Sequence, residues 1–160
     1  MEGIKIKLWI CIGGYDNTTQ AVLLKHIGER GKREIFGPSE AWVGNENSAQ
    51  TLLKIVREIF GTSSDNSDKL QFKPIFLEKE IIYIKGSGLA KVVHYLLQMT
   101  EEEFTRWSLF LTRKGFKIVW KKDQERIRKL GEPFFPEESS GSITLYPSDY
   151  EVCSKIFTLT

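Results

Sequence analysis

Between Arg113 and Lys129 the chain places eight cations, Arg113, Lys114, Lys117, Lys121, Lys122, Arg126, Arg128 and Lys129, against the two acids Asp123 and Glu125. Eight less two leaves +6 in a chain whose total is +2. Trp107, Phe116 and Trp120 are interleaved, and in an extended segment Lys117 points away from Phe116 and Ile118. Such a surface can follow phosphates with salt-sensitive, sequence-independent affinity, and it would suit an acidic protein or an anionic lipid equally well. The plainer reading is a solvated face balanced by the acids of Glu101 to Glu103 and Glu132 to Glu138. Lys5, Lys7, Lys25, Arg30, Lys32 and Arg33 enlarge the patch if they fall on the same side.

The other reactive residue types are sparse. Ile81 to Lys91 reads as strand, glycine turn and helix start, so free amides with Lys91 offer an anion cradle; Ser87 or Gly88 as a simple helix cap explains the segment as well. Lys91 stands where a dinucleotide fingerprint needs glycine, and the Gly-Lys-Ser/Thr triplet of a phosphate-binding loop is absent. His26 falls in a polar loop and His94 on the shoulder of an amphipathic stretch, where a packed imidazole is the ordinary role. Cys11 and Cys153 are far apart, each in a strand-like segment, and read as reduced, buried thiols. No Cys-x2-Cys, His-x3-His or calcium-loop spacing occurs, so no catalytic residue, metal or cofactor is expected.

The elements that must position these residues follow from periodicity. Ile4 to Ile12 alternates as a strand with one face buried, Ala21 to Lys25 makes a second, and His26 to Arg33 a loop or hairpin tip. Ile35 to Val43 is bent at Gly37-Pro38. Asn47 and Gln50 form a capping box for a helix over 48–60 that stops at Gly61, and the polar stretch Thr62 to Lys69 reads as a loop. Phe72 to Leu77 and Ile81 to Lys85 flank Glu78-Lys79-Glu80 as a hairpin. Leu89, Val92, Val93, Leu96 and Leu97 predict a helix over 88–99, and Thr100 with Glu103 caps another over 101–114. A strand at 116–120, a short helix at Asp123 to Leu130, a loop to Gly141 and strands at Ile143 to Tyr146 and Cys153 to Leu159 complete the chain.

A length of 160 residues with 41% hydrophobic and 28% charged content suits one globular domain over 1–160. The expected class is α+β, a mainly antiparallel twisted sheet with the three main helices on one face. Its predicted core is Ile6, Leu8, Ile10, Leu52, Val56, Ile59, Ile82, Ile84, Val92, Leu96, Trp107, Leu111 and Ile118. No basic-then-apolar leader and no apolar run of about 18 residues occurs. The expected place is therefore cytoplasmic or nuclear, with no transmembrane segment.

Ile12-Gly13-Gly14-Tyr15-Asp16 puts Gly-x-x-Asp at the end of an apolar segment; the helix Leu52 to Gly61, a hairpin and a helix ending His94-Tyr95-Leu96-Leu97 follow. Over residues 1–99 that order resembles the half-domain of LAGLIDADG homing endonucleases. The resemblance implies a sheet lying on DNA and a divalent metal at Asp16. The chain departs from it where Ile4 to Ile12 reads as a strand rather than a helix and where Asn17-Thr18 replaces Asp/Glu-Gly.

The sequence thus predicts a non-enzymatic binding or assembly module that meets nucleic acid or an acidic protein surface through residues 113–129, as a viral or mobile-element accessory or structural protein would. A LAGLIDADG-like metal-dependent DNA endonuclease, or its inactive relic, is the second reading. A protein–protein adaptor using aromatics and strand edges is the third. Four tryptophans and ten phenylalanines exceed what one small core hides, which adds a homo-oligomer or partner interface to the expectations.

Overall fold

The computed structural model describes residues 3–13, 18–61, 74–84, 86, 88–131 and 142–159. The expected loops at 62–69 and 132–141, Ser87, and Asp16 with its proposed metal lie outside the described residues. The architecture is α+β. Two compact units are present, Met1–Trp9 with Ser39–Gln98, and Ile10–Pro38 with Met99–Thr160.

In the first unit, β1 (Gly3–Gly13) enters with its N-terminal half and pairs antiparallel with the later strand β4 (Ser39–Trp42) in the register Lys5↔Trp42, Lys7↔Glu40. Pro38 separates β4 from β3 (Arg33–Gly37), which is the bend expected at Gly37-Pro38. Helix α1 (Ser48–Phe60) packs on β4. Asn47 Oδ1 accepts from the Gln50 amide at 2.9 Å and Gln50 Oε1 from the Asn47 amide at 3.1 Å, which completes the capping box. The helix buries Thr51, Ile55, Val56, Ile59 and Phe60.

Next come β5 (Ile75–Ile84) and β6 (Gly88–Met99), an antiparallel hairpin whose second strand is hydrogen-bonded to β1. Two expectations fail here. Glu78-Lys79-Glu80 lies within one strand instead of turning the chain, and residues 88–99 are extended rather than helical. Ala90, Val92, His94 and Leu96 alternate on the buried side of β6, a period of two hidden inside a pattern that also satisfies a helix. Gly86 and Gly88 have φ +86° and +85°, and Gly88 opens β6, so the helix start expected there does not form.

In the second unit, the C-terminal half of β1 pairs with β2 (Thr19–Arg30), which also pairs with β3 and with β7 (Phe116–Trp120), all antiparallel. Of the loop or hairpin tip expected over His26 to Arg33, the hairpin is what forms: β2 runs on to Arg30 and the chain turns at Gly31 into β3. A 3-10 helix (Lys121–Arg126) leads to β8 (Ile127–Lys129) where a short α-helix was expected. β9 (Ile143–Leu145) runs parallel to both β3 and β8, so strand pairing is mixed. Helix α2 (Glu101–Arg113) packs on β7. Helix α3 (Pro147–Phe157) packs on β2 and β8 and takes the place of the expected last strand. Among the described residues there are three main helices, but 88–99 is not one of them.

The core contains the expected Ile6, Leu8, Ile10, Val56, Ile59, Val92, Leu96 and Leu111. Leu52, Ile82, Trp107 and Ile118 are only half-buried. Beyond Lys5 both faces of β1 are covered, so the single buried face expected of it is corrected.

Candidate functional site

Lys5 and Lys7 stand two apart on β1 and therefore on one face, and Glu40 and Trp42 stand opposite them on β4. Glu40 receives both amines, Lys5 Nζ on Oε1 at 2.9 Å and Lys7 Nζ on Oε2 at 3.8 Å. Lys7 keeps only 7% of its surface exposed, which for an ammonium is a costly place without charged or polar company. Lys5 also holds its amine 5.1 Å from the centroid of the Trp42 ring. Trp42 is 47% exposed. Its ring lies against the backbone of Gly3, where an added Cβ would stand 3.0 Å from Cζ3, so the absence of a side chain is what admits the indole.

The same face of β1 continues inward to Trp9. Its Nε1–H donates to His94 Nδ1 at 3.0 Å, and His94 Nε2 lies 3.2 Å from Glu80 Oε1. Trp9 and His94 are fully buried. His94 is indeed a packed, hydrogen-bonded imidazole, although it stands on a strand rather than on a helix shoulder.

At the start of α1, Glu46 accepts from the Thr51 hydroxyl at 3.0 Å and from Lys54 at 3.2 Å. Its own backbone amide, then Lys54 and Thr51, hold its carboxyl below the ordinary carboxylate range. Both cysteines are buried and neither is in a disulfide. Desolvation pushes Cys11 up to about 11 and Cys153 to about 12, so neither is a nucleophile near neutral pH. Cys153 sits in α3, not in a strand.

The basic residues singled out from the sequence are carried by the second unit on successive short pieces of backbone. Arg113 ends α2, and Lys114 follows it with its amine over Phe110. Lys117 is exposed on β7 with its amine 5.1 Å from the Phe36 ring centroid. Lys121, Lys122 and Arg126 are exposed along the 3-10 helix. Arg128 and Lys129 are half-buried in β8, and Lys129 bonds Glu151 at 3.0 Å and covers Tyr150. His26, Glu29 and Glu34 group their ligand atoms within 4.8 Å on the exposed β2–β3 hairpin. From the sequence Lys7 enters only as an extension of the basic patch, and Glu40 and Glu80 are not singled out as site residues; the signal available is a lysine immediately before an unbroken apolar run.

No family model matches the chain, and no curated protein matches it. Solved structures do. The chain is similar to Shewanella oneidensis NrtR complexed with a 27mer DNA, at TM-score 0.58 and 13% identity, covering 96% of this chain but only 59% of that one. It is similar to the Ap4A hydrolase of C. elegans, at TM-score 0.54 and 14% identity, over 97% of this chain and 96% of that one. The third is the NUDIX domain of S. oneidensis NrtR complexed with ADP ribose, at TM-score 0.50 and 11% identity, over 99% and 90%.

At these identities the likeness is one of fold, and the fold is one that a protein named as a hydrolase shares. It overturns the expected non-enzymatic binding or assembly module of viral or mobile-element type, together with the lean away from an enzyme. The LAGLIDADG-like endonuclease and the adaptor fall with them: the helix that the former needs at 88–99 is a strand. No helix among the described residues is long and apolar enough to cross a membrane.

Proposed function

We propose that the chain is a hydrolase of a nucleotide bearing a phosphoanhydride, bound in the first unit with its phosphates on Lys5 and Lys7 and its base against Trp42. The observation that carries this reading is the convergence of two amines from one strand face on a single carboxylate. The fold supports it, being shared almost end to end with a protein named for hydrolysing Ap4A and with a domain that holds ADP ribose.

A lysine ammonium has three donors and no acceptor, so Lys5 and Lys7 can each move from Glu40 to a phosphate oxygen. Glu40 is then left beside the bound phosphates without its counter-ions. It accepts a proton from an attacking water, whose oxygen bonds to phosphorus while the bridging P–O bond breaks and its electron pair leaves with the departing phosphate. The two amines neutralise charge that grows on the phosphoryl oxygens.

Divalent cations held among several carboxylates often assist such cleavage. The described carboxylates of the first unit do not form such a set. Glu40 is shared by two lysines, Glu46 by Thr51 and Lys54, and Glu80 meets His94, while Glu78 is half-buried on β5 and Glu58 stands exposed on α1. No step is therefore routed through a metal.

Calorimetry with ADP ribose and phosphorus NMR of ADP ribose and Ap4A hydrolysis test the proposal. Lys5→Ala is expected to weaken binding at least tenfold, about 1.4 kcal/mol. Glu40→Gln is expected to retain binding and lose turnover. Lys121→Glu combined with Lys122→Glu, in the other unit, is expected to change neither. A wild-type chain that neither binds nor cleaves either compound sinks the reading.

A further inference from the structure

The line Trp9–His94–Glu80 takes no part in the proposed chemistry, yet its geometry fixes a protonation state. An indole nitrogen only donates, so Nδ1 of His94, 3.0 Å from Trp9 Nε1, must present its lone pair. The ring proton then sits on Nε2 and is donated to Glu80 Oε1 at 3.2 Å. This is one tautomer of the neutral imidazole. An imidazolium carries hydrogens on both nitrogens, so Nδ1–H would confront the Trp9 N–H, donor against donor. With both rings fully buried, the indole would be left without a partner in a place where water does not replace it.

We propose that Trp9, His94 and Glu80 form an acid-sensitive latch that fastens the β5–β6 hairpin to β1 while His94 is neutral and releases it when His94 is protonated. The groups that face the imidazole fit this role. From β5 come Glu80 and Glu78, the latter directly across the ladder from His94. From β1 comes Lys7, two residues from Trp9 on the same strand face. Glu80 remains 29% exposed at the side chain, so the line ends in a carboxylate that solvent and protons reach. Because Nε2 already holds its hydrogen, the added proton goes to Nδ1 while Glu80 keeps accepting from Nε2, so the interior end of the line is the one that fails.

The test follows the Trp9 indole N–H by nitrogen-15 NMR from pH 8 to pH 5, assigned by its disappearance in Trp9→Phe. Protection of this proton and of the β5–β6 backbone amides, corrected for intrinsic exchange, is expected to fall at least tenfold in step with the titration of the His94 ring. His94→Gln is the informative variant. Its side-chain oxygen can accept from Trp9 and its NH2 can donate to Glu80, without titrating, so protection should stay constant across the range. Glu80→Gln, a change at the exposed end, should move the midpoint to lower pH and keeps the test open if His94→Gln does not fold. The latch is refuted if His94 stays neutral down to pH 5, if it titrates while Trp9 stays protected, or if His94→Gln shows the same acid response.

Discussion

Lys7 gives up most of the hydration of its amine at 7% exposure, and Glu40 restores part of it. Burying an ammonium beside a shared carboxylate costs stability that a well-packed apolar residue would not, which is why this position reads as functional. Trp42 is its counterpart at the surface, held flat by the missing side chain of Gly3. If Trp42 takes the base of the proposed substrate, Trp42→Ala should weaken ADP ribose binding by about 1–3 kcal/mol, the usual worth of one stacked base, and leave inorganic pyrophosphate unaffected. Gly3→Val should do the same through the displaced indole, with little change in melting temperature. Equal loss for both ligands would remove Trp42 from the site. Little of this was legible beforehand. Leu8 to Ile12 is continuously apolar, the mark of a strand covered on both faces, and the alternation at Ile4 to Lys7 drew attention away from it. Nothing local to Glu40 or Glu80 distinguishes them, because each acquires its partners from another strand.

Elements were read well where local chemistry specifies them and badly where pairing decides. Both capping boxes form as the spacing requires, Asn47 with Gln50 and Thr100 with Glu103. The burial of α1 nevertheless turns on Thr51 and Ile55, so Leu52, expected in the core, is only half-buried and Leu53 is 47% exposed. Residues 88–99 show the opposite case: local apolar spacing permits a helix, and the ladder to β5 and β1 overrides it. Asn47→Ala removes one reciprocal cap and should lower unfolding free energy by about 1 kcal/mol in urea titration without changing the slope. An unchanged midpoint would mean that tertiary packing on β4, not the cap, sets the start of α1.

At the scale of the whole molecule, topology was the least legible feature. The parallel pairing of Ile35 with Thr144 and of Ile127 with Ile143 joins segments that no short-range signal connects. The same distant packing controls how stability responds to alkali. Cys11 and Cys153 are held protonated to about 11 and about 12 by desolvation, against an ordinary thiol value of 9.0. A thiol whose folded value is raised contributes fully below the unfolded value and loses that contribution as pH climbs toward the folded one. Above pH 9 the unfolded chain releases protons that the folded chain retains, so unfolding becomes progressively easier. At pH 10 the loss should be roughly 1 kcal/mol per thiol by linkage, and most of the available effect is spent before pH 12. Glu46 acts with the opposite sign: its lowered carboxyl stabilises the fold above its ordinary value of 4.5, and that contribution disappears as the pH falls below it. Urea midpoints measured at pH 7.5, 9 and 10 should decline over the last interval, and Cys11→Ala with Cys153→Ala should flatten the decline even though the cavities lower the midpoint everywhere. A decline of the same steepness in the double variant would assign the alkaline loss to lysines or tyrosines instead of the buried thiols.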